Sequence, residues 1–467
     1  MEVNMNNQYR LKYHVMPEKG WMNDPNGLIQ YKDKYHMFFQ HHPYSTEWGP
    51  MHWGHVISSD LVHWKYLPIA LRPGDSYDRN GCFSGSAVDD DGTFTLIYSG
   101  NVDDRSPKQV QCVARSIDGV NFEKYEGNPV VEDVPSDGSD DFRDPKVWKH
   151  NGTWYMVTGS SKDGIGKALL FKSVDLNNWE YVGVTAESDG TLGSMWECPD
   201  LFPLGERFAL IVSPINMKRS KNICLIGNMN YDTGKFTYEY YKDLDYGSNF
   251  YAAQTFIDKK GRRIMFAWMN MWDKEMPEKK EGWAGAMTIP RELILRDDGL
   301  LITRPIEELE SLRGEKASIN DADLAPNENL LKDAAGDAVE IEAEFMLDED
   351  CKTQFGFELR CSGDGREKTV VAYNPGKEEL IVDKTRSGII KDGRNVCKMR
   401  KMPDNIIKLH IFLDASSVEV FGNDGEVAVS NRIYPSRDSL GMKLFSDGSD
   451  IKLKTFNIWK LNSIGLL

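Results

Sequence analysis

A period of about 57 residues runs through the first 300 positions of this 467-residue chain, and a repeat of that length fixes an architecture before any single motif is weighed. An Asp followed four residues later by an aromatic recurs at Asp60/Trp64, Asp118/Phe122, Asp175/Trp179 and Asp232/Phe236, at steps of 58, 57 and 57. Interleaved with it are five apolar segments, each broken by a polar turn, with turns near Asp33, Asp91, Asn151, Gly205 and Lys260. Each of these reads as a β-hairpin. A unit of about four short strands buries its faces only against its neighbours, so five units predict a five-bladed β-propeller. The four repeating aspartates belong to turns, because they recur with the fold rather than with one site.

The pattern changes after the fifth unit. IEELESLRGE is a short charged helical stretch, read as the core of a linker over 304–316. Beyond it, alternating segments such as AVEIEAEFML, ELIVDK and IIKLHIFLDA are divided by Gly, Asp and Asn turns. They predict an antiparallel β-sandwich. The expected chain is therefore all-β, with a catalytic propeller over 1–303, the linker, and a sandwich over 317–467.

Charge narrows the partners. Lys and Arg number 56 against 72 Asp and Glu, a net −16, which repels phosphate backbones and anionic lipid. No nucleic acid or membrane partner is expected. The first 21 residues lack an apolar signal core, and nowhere do about 18 uncharged apolar residues run together, so a cytoplasmic protein is expected. The seven cysteines lack CxxC or zinc spacing and read as reduced thiols. Seven of the nine histidines fall between His14 and His63, but without an HExxH pattern or a closed ligand set no metal is expected.

With each hairpin turn as a ruler, one polar set lies seven to nine residues upstream: Asp24, Ser84, Asp144, Glu197 and Tyr251. Equivalent positions on successive blades surround one channel, so three acids remote in sequence converge. Glycoside cleavage needs two such carboxyls, one ionised as nucleophile and one protonated as acid and then base. The third holds sugar hydroxyls. Arg143 keeps a neighbouring carboxylate ionised, while crowding pushes one acid toward its protonated form. Asp-Pro-Asn-Gly alone is an ordinary turn and Arg-Asp-Pro an ordinary strand start; the shared register is what argues for a site. Trp21, Trp48 and Trp272 are candidates for sugar contact.

These residues sit in WMNDPNG (21–27), FSGSAV (83–88), FRDPKVW (142–148), WECPD (196–200), FYAAQTF (250–256) and WAGAMTIPREL (283–293). In that order the segments resemble glycoside hydrolase family 32, the β-fructofuranosidases, and the resemblance continues through LHIFLDASSVEVFGNDG (409–425). It implies a five-bladed propeller followed by a sandwich, with Asp24 as nucleophile, Glu197 as acid/base and Asp144 as transition-state stabiliser. It further implies that Asn23, Gln40, Trp48, Phe83, Ser84, Arg143 and Tyr251 surround a fructosyl unit, with Trp272 a weaker match. One departure is Ala252-Ala253-Gln254, where many members read Ala-Pro-Gln. No cofactor is implied. The expected reaction is release of terminal β-D-fructofuranosyl residues from sucrose and short fructo-oligosaccharides with retained configuration, by a monomer or homodimer. Sucrose 6-phosphate hydrolysis, inverting cleavage of arabinans and a non-catalytic sugar-binding propeller are the alternatives.

Overall fold

The computed structural model describes residues 7–218, 220–326 and 328–466. Five sheets follow one another along the first 305 residues, each with four sequential antiparallel strands. Their first strands are Gly20–Tyr31, Gly81–Asp90, Phe142–His150, Met195–Leu204 and Tyr251–Ile257. Each first strand touches the next, and the fifth touches the first, so the sheets form a closed cycle. Trp283–Ala284 completes the closure by pairing in parallel with Gly20 and Trp21. Such closure protects the inner strand edges.

Burial falls from the inside outward. Gly20–Tyr31 is almost wholly buried, whereas the fourth strand of the fourth sheet, Lys235–Asp243, is mostly exposed. Each of the five expected turns joins the first two strands of a sheet. Three of the four repeating aspartates close turns by accepting backbone N–H groups: Asp60 from Val62 and His63, Asp118 from Val120 and Asn121, Asp175 from Asn177 and Asn178. Asp232 does not. There Asn230 accepts from the N–H groups of Asp232 and Thr233, because an Asx turn needs only a short side-chain carbonyl two residues earlier.

A 3₁₀ helix, Glu307–Leu312, leads into the strand Arg313–Leu324. That strand begins a six-stranded sheet facing a five-stranded one, a β-sandwich whose apolar faces enclose a core including Phe345, Phe357, Val371 and Leu409. Arg313–Leu324 has almost no apolar alternation and is largely exposed, which is why it escapes a pattern reading. No helix among the described residues is long and apolar enough to cross a membrane.

Propeller and sandwich share a polar and apolar junction. Leu309 and Leu312 pack with Phe412 and Phe421 of the sandwich and Phe266 of the propeller. Fully buried Arg291 donates to Asp245 at 2.8 Å and to Glu419 at 2.5 Å. His14 stands between Asp414 (2.8 Å) and Glu419 (2.9 Å). With a carboxylate on each ring nitrogen His14 is held protonated, its pKa raised despite burial.

Candidate active site

Each of the five inner strands carries a β-bulge near its start. The pairing slips at Asn23-Asp24, at Ser84, at Asp144-Pro145, at Cys198-Pro199 and at Ala252-Ala253. A bulge inserts an extra residue and re-aims its side chain. Asp144, Cys198 and Ala252 adopt φ of +63°, +50° and +54° there, a conformation uncommon for side-chain-bearing residues and concentrated at functional sites. The turn-based ruler put five polar residues in one register. Asp24, Ser84 and Asp144 do lie within bulges, but Glu197 and Tyr251 stand one residue before theirs. The ruler drifts because the bulge breaks the two-residue alternation that sequence counting assumes.

The bulges bring the three acids into one pocket of about 420 Å³. Asp24 and Asp144 are buried at its floor. Asp24 accepts hydrogen bonds from Asn23 Nδ2 (3.0 Å) and Ser84 Oγ (2.8 Å). Asp144 accepts from the Cys198 N–H (2.8 Å), and the Cys198 sulfur lies 3.8 Å from Asp24 Oδ2 and 3.6 Å from Asp144 Oδ2. Glu197 is gripped from two sides. Arg143 donates to its Oε1 from Nε (3.1 Å) and Nη2 (2.8 Å), and the Tyr251 hydroxyl donates to its Oε2. Arg143 thus serves Glu197 directly, with its remaining nitrogen on Asp141 and Gln109.

Burial governs the charges. It pushes Asp24 up, the Glu197 charge adds to that, and the bonds from Asn23 and Ser84 oppose it. Asp144 rises to about 7, first through burial and then through Glu197 and Asp24, against the pull of Arg143. Near neutrality Asp144 is therefore partly protonated.

Asn23, Gln40, Trp48, Phe83, Ser84, Arg143 and Trp272 line the pocket with the acids. Trp48 and Trp272 form an exposed aromatic rim, 48% and 46% accessible. Trp21 and Tyr251 do not reach the lining. Trp21 is 3% exposed, stacks under Trp272 at 5.9 Å and donates its indole N–H to Asn23 Oδ1 at 2.7 Å. Its place is behind the site, as support for Asn23 and Trp272, because position 21 precedes the bulge and points into the core. Tyr251, 4% exposed, reaches the site only through Glu197.

Sequence reading missed Asn101, Asp103, Lys108, Gln109 and Asp141, which complete the lining. Four of them span the connection from Thr93–Asn101 to Gln109–Ser116, the counterpart in the second sheet of the Trp48 connection in the first. A signal existed: the residues after each hairpin's second strand, read in register as those before the turns were.

Residues 14–305 match the sequence model of the glycosyl hydrolases family 32 N-terminal domain, and residues 308–460 that of the family 32 C-terminal domain. The chain is 43% identical to the sucrose-6-phosphate hydrolase of Zymomonas mobilis, over 97% of this chain and 92% of the relative. It is 40% identical to the raffinose invertase of Escherichia coli, over 96% and 94%. Among solved structures, a variant of the Bombyx mori family 32 β-fructofuranosidase in complex with sucrose superposes with a TM-score of 0.86 at 37% identity, covering 98% and 95% of the two chains. The sucrose-6-phosphate hydrolase of Lactobacillus gasseri gives 0.88 at 28% identity, over 98% and 94%.

Proposed function

The chain belongs to glycosyl hydrolase family 32, and on that footing we propose that it cleaves terminal non-reducing β-D-fructofuranosides, sucrose first among them, with retained configuration. The observation that supports this reading is the convergence of Asp24, Asp144 and Glu197 in one small pocket under an aromatic rim. In the proposed division of labour the propeller, expected over 1–303 and ending with the strand Leu301–Pro305, carries catalysis, the helix Glu307–Leu312 of the expected linker 304–316 joins it to the rest, and the sandwich, which starts at Arg313 rather than at 317, braces it.

The reaction passes through an oxocarbenium-like transition state and two displacements. Asp24 attacks the anomeric carbon of the fructosyl unit as Glu197 gives its proton to the glycosidic oxygen, and the leaving sugar departs as an alcohol. A fructosyl-Asp24 ester remains. Glu197, now a base, takes a proton from water, whose oxygen attacks the same carbon and frees Asp24. Asn23 and Ser84 hold Asp24 in line for both steps. Asp144 accepts hydrogen bonds from the fructosyl hydroxyls, which strengthen as the ring flattens. Trp48 and Trp272 pack against the sugar faces at the mouth.

A second reading, hydrolysis of sucrose 6-phosphate, draws on the names of the Zymomonas and Lactobacillus relatives and on Lys108. This exposed lysine lines the pocket and, unlike Arg143, joins none of the ion pairs described. A phosphate on the leaving sugar is the charge it would meet. We place the enzyme in the cytoplasm, where its seven unpaired cysteines belong, as a monomer or homodimer.

Asp24→Ala tests the core of the proposal. It should abolish nearly all sucrose turnover, by about 10⁴-fold or more, while circular dichroism and thermal unfolding stay near wild type. Substantial residual hydrolysis overturns the assignment. The product anomer seen by NMR at early times separates retention from inversion, and kcat/KM for sucrose against sucrose 6-phosphate in wild type and Lys108→Met decides between the two substrates.

A further inference from the structure

The segment that carries Trp272 is tied to the sandwich. After the strand Arg263–Trp268 the chain passes through a turn closed by the Lys274 N–H on the Met271 carbonyl (3.1 Å). Met271 and Met276 are buried beside Trp21 and Trp268, and Trp272 between them leans on both indoles, at 5.9 Å and 4.9 Å. Lys274 reaches across to the sandwich, its ammonium 2.6 Å from Asp392 Oδ1.

Asp392 is itself fixed. Its Oδ2 lies 2.6 Å from the ammonium of Lys384, a side chain 1% exposed on the strand Glu379–Arg386. Residues 387–393, which present Asp392, are pinned to the sandwich frame by three backbone bonds: Ile389 N–H to Tyr434 O (3.1 Å), Tyr434 N–H to Ser387 O (3.0 Å) and Lys384 N–H to Gly393 O (2.8 Å). Gly388 allows this approach, since a Cβ there would stand 1.8 Å from the Tyr434 carbonyl oxygen. A buried lysine paired to a carboxylate on a pinned loop makes a rigid post, and a rigid post positions what is attached to it.

We infer that Asp392 of the sandwich is a positioning residue for the sugar site, holding the Trp272 segment against the pocket through Lys274. The inference rests on the reading that Trp272 meets the sugar. It gives the sandwich a part in substrate binding without any of its residues entering the pocket.

The test is Lys274→Met, which cuts the tie and leaves the Asp392–Lys384 pair in place. KM for sucrose should rise about fivefold with kcat within about twofold of wild type, as for loss of one partly exposed ion pair that orders a binding segment. Lys274→Arg should restore KM. In a Trp272→Ala background, which by itself should raise KM, Lys274→Met should add nothing, the signature of two residues acting through one contact. An unchanged KM in Lys274→Met beside a raised KM in Trp272→Ala overturns the tie alone. An unchanged KM in Trp272→Ala overturns the sugar-contact reading on which it rests. A loss of thermal stability in Lys274→Met with KM unmoved reduces the ion pair to structure and overturns the inference too.

Discussion

Asp144 is the titrating group that most constrains the pH at which this site works. Its pKa of about 7 means that Asp144 is protonated below neutrality and ionised above it. Stabilising positive charge on the fructosyl ring requires the ionised form, so kcat/KM for sucrose should rise with pH through about 7. Asp144→Asn, which cannot ionise, should lose that acid limb from its residual activity; a limb that persists in the variant refutes its assignment to Asp144. Cys198, whose sulfur touches Asp24 and Asp144, fills the floor with a group that burial holds as the neutral thiol, so it adds no fourth charge.

The bulge is the element-scale device. Along a regular strand alternate residues point to opposite faces, and the bulge breaks that alternation where Asp24, Ser84 and Asp144 enter the pocket. In the second sheet the bulge depends on Gly85, where a Cβ would lie 2.0 Å from the Ile97 carbonyl oxygen. Gly85→Ala must therefore push the strand apart at the residue next to Ser84. It should cost about 1–3 kcal/mol in stability and lower kcat by more than Ser84→Ala does, because it displaces the backbone as well as the hydroxyl that supports Asp24. Equal kcat values in the two variants would show that the bulge tolerates the methyl group without moving.

Across the whole molecule the sandwich acts as a second wall of the propeller. The strand Val427–Arg432 bonds to the lead-in of Tyr251: Tyr246 N–H to Ala428 O at 2.8 Å, Asn249 N–H to Ser430 O at 3.3 Å, and Arg432 N–H to Asn249 Oδ1 at 3.0 Å. Arg291 anchors the same region between Asp245 and Glu419. Removing it in Arg291→Met leaves two buried carboxylates short of their cation, so unfolding should become easier by about 3–5 kcal/mol. Loss of the anchor also loosens Tyr251 and hence Glu197, so activity should fall at temperatures where the variant is still folded. Calorimetry and the temperature profile of kcat check both points.

The five repeats, their turns, the sandwich and the three acids were legible in the sequence because they rest on local rules: alternation along a strand, polar turn residues, and a spacing that recurs. Asp232 shows the limit even there, since a neighbouring Asn took over a role that the pattern assigned by position. Only the tertiary structure decided that Trp21 lies beneath Trp272, that Arg143 grips Glu197, that Asp103 and Lys108 enter the pocket, and that a buried cation joins the two halves of the chain. Those outcomes depend on how sheets are rotated against one another and on bulges that shift a side chain by one register. Neither leaves a period in the sequence, because the energy that sets them comes from residues far apart along the chain.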